Sequence, residues 1–300
     1  VTLLTPVARR RSWGLAALFL FPAILLFAIF TFYPFLENFK TALYQTAPYP
    51  GLPSKYVGLS QATSILSSSA FLQSLTSTFL FVVMVVPLGL LLGLALAVAA
   101  NKTIKGIAIF RIIFSSTVVT SVAVGAIIFG TLMNPIVGLL PWLGINPNPP
   151  LLQSPTWALP AVAAIAIWQF LGLSFIVMLA GLQALPDDVL EAARVDGAGA
   201  WTVFWRVTVP MLSPTIFFGV VVGTIYAFQS FGQIDILIGQ ANAQQFHVNV
   251  LLYYIYQSVG GTNPDPGQAA VLSIALFVII MVFTLLQLRF LERRVHYASR

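Results

Sequence analysis

The sequence contains no cysteine among its 300 residues. That excludes a disulfide framework, a thiolate metal site and a cysteine nucleophile. It has only two histidines, His247 and His296, which are too few and too far apart for a metal cluster. Charge is also scarce. Asp, Glu, Lys and Arg together make 7% of the chain, where a soluble globular domain carries about 25%. No G-x-x-x-x-G-K-[ST] loop occurs, nor even a Gly-Lys dipeptide, so nothing here resembles a Walker-type cradle for the phosphates of a nucleotide. No His, Ser and carboxylate set converges as a hydrolytic enzyme would need.

What the chain has instead is apolar length. Hydrophobic residues make 59% of it, the composition of an integral membrane protein. A helical crossing needs about 20 apolar residues. Six runs qualify: Trp13–Phe35, Leu75–Ala100, Ile107–Met133, Trp157–Leu182, Val207–Phe231 and Ala269–Leu291. Their length suits helices rather than barrel strands, which need about 9–11 alternating residues. The first run follows Arg9, Arg10 and Arg11 but is too long for a signal-peptide core, and no small-x-small cleavage site follows it, so it is expected to be a retained span.

Charge predicts the orientation. With both termini inside, the inner set is Arg9, Arg10, Arg11, Lys102, Lys105, Arg111, Arg194, Arg206, Arg289, Arg293, Arg294 and Arg300. Only Lys40 and Lys55 fall outside. This positive-inside bias accounts for the net charge of +6 without a nucleic-acid partner. The expected organisation is a cytoplasmic tail at 1–12, a six-helix domain at 13–291 and a second cytoplasmic tail at 292–300. Gly89, Gly93 and Ala97, spaced by four on the second span, would let another helix approach closely. Pro87 is expected to kink that span. The segment "FHVNVLLYYIYQSV" is expected to form a short amphipathic helix in an outer loop.

One inner connection, 185–210, is long and charged. Pro186, Asp187 and Asp188 fit the first turn of a helix, where proline is tolerated and carboxylates meet the positive dipole end. Gly197 supplies the positive φ that a helix C-terminus often needs. A second helix is expected from about Trp201 to Pro210. Lipid-lying helices favour Lys and Arg. This elbow begins with three Asp and one Glu against one Arg, so a protein partner is the better expectation.

Polar residues inside a span face the bundle interior. Tyr226, Gln229, Ser230 and Gln233 fall at i, i+3, i+4 and i+7, one helical face. Trp168 and Gln169 sit half-way along the fourth span, and Thr117, Thr120 and Ser121 cluster on the third. Together they would suit a path for hydroxyl-bearing solutes, with interhelical hydrogen bonding as the plainer alternative. All eight acids lie in loops or near span ends, which argues against a proton-coupled secondary carrier with intramembrane relays.

The elbow carries a resemblance. Glu191-Ala192-Ala193, Asp196-Gly197-Ala198, Phe204 and Pro210 resemble the EAA loop of bacterial ABC-importer permeases, an all-α fold with six transmembrane helices. "FTFYPFLENFKTALYQ" followed by "YVGLSQATSIL" is similar to the sugar and glycerol-phosphate branch. "TIYAFQSFGQIDILIGQ" and "LQLRFLERRVHY" most resemble the glycerol-phosphate members. One departure is "FRIIFSSTVVT", where Ser115 and Ser116 stand at a place relatives often fill with proline. The resemblance implies a type I importer permease subunit without catalytic residues or a cofactor of its own. Its partners would be a second homologous permease, two ATP-binding subunits that hold ATP and Mg, an extracytoplasmic binding protein and membrane lipid. The implied substrate is sn-glycerol-3-phosphate or a glycerophosphodiester such as glycerophosphocholine, with an oligosaccharide as the alternative.

Overall fold

The computed structural model describes residues 18–47, 53–102, 104–243, 245–261 and 264–291. Both predicted tails, with Arg9–Arg11, Arg293, Arg294, His296 and Arg300, and the start of the first predicted span at Trp13 lie outside the described residues. Among the described residues, four helices are long and apolar enough to cross a bilayer, and six crossings result if each of two bent pairs counts as one.

The first helix runs Leu18–Thr41, six residues beyond the predicted end, and none of its apolar window is buried. It touches the last helix through Phe35, whose ring lies 5.2 Å from that of Phe277. A short antiparallel pair, Tyr44–Gln45 with Lys55–Tyr56, closes the following loop. The second helix, Ser69–Ala100, starts six residues earlier than expected because Ser68 caps it, its Oγ accepting from the Phe71 amide at 3.2 Å. It runs unbroken through Pro87.

Helices 69–100 and 158–183 pack more extensively than any other described pair. Small residues make this possible. Gly89 and Gly93 are buried, and a Cβ at Gly89 would lie 2.6 Å from Phe170 Cδ1 while one at Gly93 would overlap Ser174. The stripe is therefore used for packing within the chain. Phe81, Val85, Ile165, Phe175 and Met178 complete a core from which solvent is excluded. Apolar residues such as Val83 and Leu91 remain exposed on the outside of this core, as a helix bundle that meets lipid or partner helices requires.

Two expectations need correction. The third span is not one helix: Ile107–Val119 and Val122–Leu132 meet at 105°. Ser115, Ser116 and Thr117 each turn a hydroxyl back onto the carbonyl three residues earlier, at 3.1, 2.7 and 3.3 Å. Such bonds compete with the α-helical ladder. The chain tightens into a 3-10 turn at Ser116–Val119 and extends at Thr120. Ser121 then caps a new helix, accepting from the Val124 amide at 3.3 Å. The fifth span is also shorter than predicted. Val207–Leu212 belongs to the elbow side, because helices Ala200–Met211 and Ser213–Phe228 meet at 64°. The membrane helix ends at Phe228, and a separate helix, Gly232–Leu237, follows.

The segment after it forms helix Leu251–Gly260, which is packed rather than superficial: Leu251 and Tyr253 are fully buried. The last helix is Pro266–Leu291.

Candidate functional site

The restarted third-span helix lies inside an apolar bundle, where buried polar side chains need partners. Gln169, buried on helix 158–183, finds them on the first turn of that restarted helix. Its Nε2 donates to the carbonyls of Ser121 and Val122, each at 3.5 Å. Its Oε1 accepts a short bond from Gln233 Nε2 at 2.7 Å and a long one from the Tyr226 hydroxyl at 3.5 Å. Gly125 makes the approach possible, since a Cβ there would stand 2.6 Å from Gln169 Nε2. Tyr226 is held by stacking on Phe170, with centroids 5.5 Å apart and planes 19° from parallel.

Beside this cluster lies a cavity of about 300 Å³, lined by Val122, Tyr226, Gln229, Ser230, Phe231, Gly232 and Gln233. The four polar residues predicted to share one helical face therefore do meet, but not on one helix. The helix ends after Tyr226, so Gln229 caps it and is exposed, while Gln233 reaches the cluster from the next helix. Ser230 Oγ donates to the Tyr226 carbonyl at 3.0 Å, closing the turn between them.

The other predicted residues go elsewhere. Trp168 is absent from the cavity wall and packs on Phe129 at 5.3 Å. Thr117 is buried against Gly172. Thr120 bonds the Ser116 carbonyl at 3.5 Å. Of the third-span cluster only Ser121, through its carbonyl, touches the Gln169 centre. Sequence reasoning missed Val122, Phe231 and Gly232 as cavity walls. The available signal was the hydroxyl run before Ser121, which marks a helix restart within an apolar stretch.

Helix 232–237 is buttressed away from the cavity. Tyr253 donates its hydroxyl to Asp235 Oδ1 at 3.1 Å. Burial first, and then the neighbouring Asp235 carboxylate, push the Tyr253 phenol above its ordinary range, so it stays protonated as the donor.

At the other end stands the charged elbow. Helix Asp187–Val195 starts after Pro186 with Asp187 and Asp188 in its first turn and Arg194 in its last. Gly197 has φ +80°. The Gly197 amide donates to the Arg194 carbonyl at 3.0 Å and the Ala198 amide to the Ala193 carbonyl at 3.1 Å. These are the two bonds of a Schellman cap. Glu191, Ala192 and Asp196 are exposed, and Ala193 and Ala198 partly so. In the second arm Phe204 packs on Trp205 at 5.2 Å and Pro210 is half-buried. Val195 is 86% exposed and Trp201 75% exposed, so the elbow presents apolar as well as charged surface.

A helical membrane bundle with a cavity of mixed polar and apolar lining at one level and an exposed helical elbow at another suits the passage of a solute. Comparison with known proteins gives the class its name. Residues 56–297 match the family described as "Binding-protein-dependent transport system inner membrane component", and the chain belongs to that family. It is 36% identical over 284 residues to the "sn-glycerol-3-phosphate transport system permease protein UgpA" of Agrobacterium fabrum, covering 92% of this chain and 94% of that one. Its counterpart of the same name in Yersinia enterocolitica is 32% identical, covering 95% and 96%. Among solved structures, a chain of a bacterial alginate ABC transporter, crystallised with an alginate pentasaccharide-bound periplasmic protein, superposes with TM-score 0.80 at 23% identity, covering 95% and 96%. The fold is that of a type I importer permease. The protein is a multi-pass inner-membrane, non-catalytic permease subunit of an ABC importer, which works with ATPase and substrate-binding protein partners.

Proposed function

We propose that this subunit forms half of a translocation path for sn-glycerol-3-phosphate or glycerophosphodiesters such as glycerophosphocholine, paired with a second permease of the same fold. The observation that carries the substrate is the likeness, over nearly the whole chain, to permeases named for sn-glycerol-3-phosphate. The Tyr226–Gln229–Gln233 surface contacts the solute in transit, and Gln169 with Trp168, Thr117, Thr120 and Ser121 holds the surrounding helices in place. The elbow at 185–210 docks on one of two ATP-binding subunits. Its exposed Glu191, Asp196, Val195 and Trp201 support that reading, because such a surface matches a groove of mixed charge and apolar character. ATP and Mg bind those partner subunits, and no cofactor resides on this chain. Both termini and the elbow are cytoplasmic, and an extracytoplasmic binding protein delivers the substrate to the opposite face.

One observation favours a second substrate. The described cavity walls carry amides and hydroxyls but no Lys or Arg to pair with a phosphate, which suits an uncharged oligosaccharide. The deciding experiment is ATP-dependent uptake by the reconstituted four-subunit importer with its binding protein. Uptake of sn-glycerol-3-phosphate or glycerophosphocholine, with maltose-type oligosaccharides excluded, is expected. The reverse preference would sink the phosphate reading and leave the permease assignment intact.

A further inference from the structure

A second cleft, about 500 Å³, lies between the N-terminal halves of helices 69–100 and 158–183, away from the Gln169 centre. Its floor is apolar, made of Leu80, Met84, Leu159 and Pro160, and its rim is polar, with Gln73, Thr76, Thr156 and His247. The Gln73 amide meets His247 Nδ1, and Ser77 Oγ donates to the His247 carbonyl at 3.0 Å. His247 is exposed and holds φ +56°, a left-handed backbone uncommon outside glycine. With Nδ1 accepting from the Gln73 amide, the ring proton sits on Nε2, which becomes a donor at the rim.

Polar and apolar groups are sorted along one axis. From Gln73 to Met84 is eleven residues, or about 16 Å at the helical rise of about 1.5 Å per residue. Half of a hydrocarbon core about 30 Å thick is about 15 Å. The cleft is thus as deep as one leaflet. Trp157, 58% exposed beside Thr156, lies at the level of the rim, where tryptophan marks the membrane–water interface. A small polar solute would meet a greasy floor here. A phosphodiester on an acyl chain matches both ends, because the imidazole Nε2 and the Thr156 hydroxyl donate to phosphate oxygens while the floor takes hydrocarbon.

We propose that this cleft holds one membrane phospholipid, in the leaflet opposite the 187–211 elbow, with its phosphate at His247 and an acyl chain along Leu80 and Met84. The test uses the assembled importer in nanodiscs doped with phosphatidylethanolamine that carries a diazirine on one acyl chain. Photolabel is expected to concentrate at residues 80–84 and 159–160, above the level at Leu91, a similarly exposed apolar site on the same helix outside the cleft. Leu80→Trp, at a half-exposed position, fills the cleft and abolishes the label there while label at Leu91 persists. His247→Gly keeps the positive φ, removes the donor and lowers cleft labelling about fivefold, the usual worth of one hydrogen bond. Equal labelling at Leu80 and Leu91, or labelling unmoved by Leu80→Trp, overturns the proposal. So does loss of label on adding sn-glycerol-3-phosphate, which would assign the cleft to a solute. Efficient cross-linking of Leu80→Cys to another subunit would assign it to protein.

Discussion

At the scale of single residues, Gln169 and Gln229 bear opposite burdens although both are amides near one cavity. Gln169 is 7% exposed and every polar atom of its side chain is engaged. Gln169→Leu would strand the buried Gln233 amide and remove the brace on the first turn of helix 122–132. An orphaned buried polar group costs about 1–3 kcal/mol, so this variant is expected to lower the melting temperature of the purified importer as well as its uptake. Gln229 is exposed on the cavity and no described hydrogen bond of its side chain holds the fold. Gln229→Leu should leave melting unchanged and weaken transport by about tenfold or less, the limit of one net hydrogen bond. Thermal melts and initial uptake rates on the pair of variants check both. If Gln229→Leu transports like wild type with the same ligand preference, the cavity is packing space and the path lies on the partner permease.

At the scale of elements, the elbow depends on one backbone angle. A Cβ on Gly197 would meet nothing within 4 Å, so the space is open and the constraint is φ +80° alone. A β-branched residue is disfavoured there, and the left-handed region costs an ordinary residue about 1–2 kcal/mol. Asparagine visits it more readily. Gly197→Val is therefore expected to distort the turn between helices 187–195 and 200–211 and to uncouple ATP hydrolysis from uptake, whereas Gly197→Asn retains most coupling. Uptake and ATP turnover in proteoliposomes measure it; normal coupled uptake by the Val variant would remove the elbow from the transmission path. This element was legible in the sequence because its signals are local: Pro186 and two Asp start a helix, and Gly197 ends it. The membrane spans were legible as apolar runs for the same reason. What the runs concealed were the two bends. Hydropathy is blind to them, since Val118, Val119 and Val122 are as apolar as a straight span would be. The break near Thr120 is marked by hydroxyls that bond carbonyls three residues earlier, and the restarted helix is braced by Gln169, 48 residues away from Ser121, whose amide adds a second donor to the Ser121 carbonyl. Periodicity likewise placed Gln233 on the face of Tyr226 by assuming a helix that stops at Phe228. The two residues still meet, through a turn and a second helix that no local pattern announced.

At the scale of the whole molecule, the question is where the energy enters. The sequence has no phosphate-cradling loop, and all eight of its acids lie in loops or near span ends. A solute pump with neither a nucleotide site nor a membrane proton relay must be driven from outside its own fold. The surface proposed for that is the elbow, where Glu191 and Asp196 stand beside the exposed apolar groups Val195 and Trp201. The 64° bend between helices 200–211 and 213–228 then joins that surface to the span that ends at Phe228, beside the cavity. On the proposed coupling role, a push on the elbow is expected to reach the polar cluster through helix 213–228 and to remake the Gln169–Gln233 contact as the cavity opens. Two outcomes follow. Rigorously purified and reconstituted alone, this chain should hydrolyse no ATP above the protein-free background, and the full importer should. In the full importer, a cross-link between cysteines placed at Gln169 and Gln233 should block the uptake that the same variant shows when reduced, while ATP hydrolysis continues, because the elbow can still be engaged when the cavity cannot open. ATP turnover by the chain alone would refute the division of labour. Unimpaired uptake with that cross-link formed would show that the cavity opens by some route that leaves the Gln169–Gln233 contact in place.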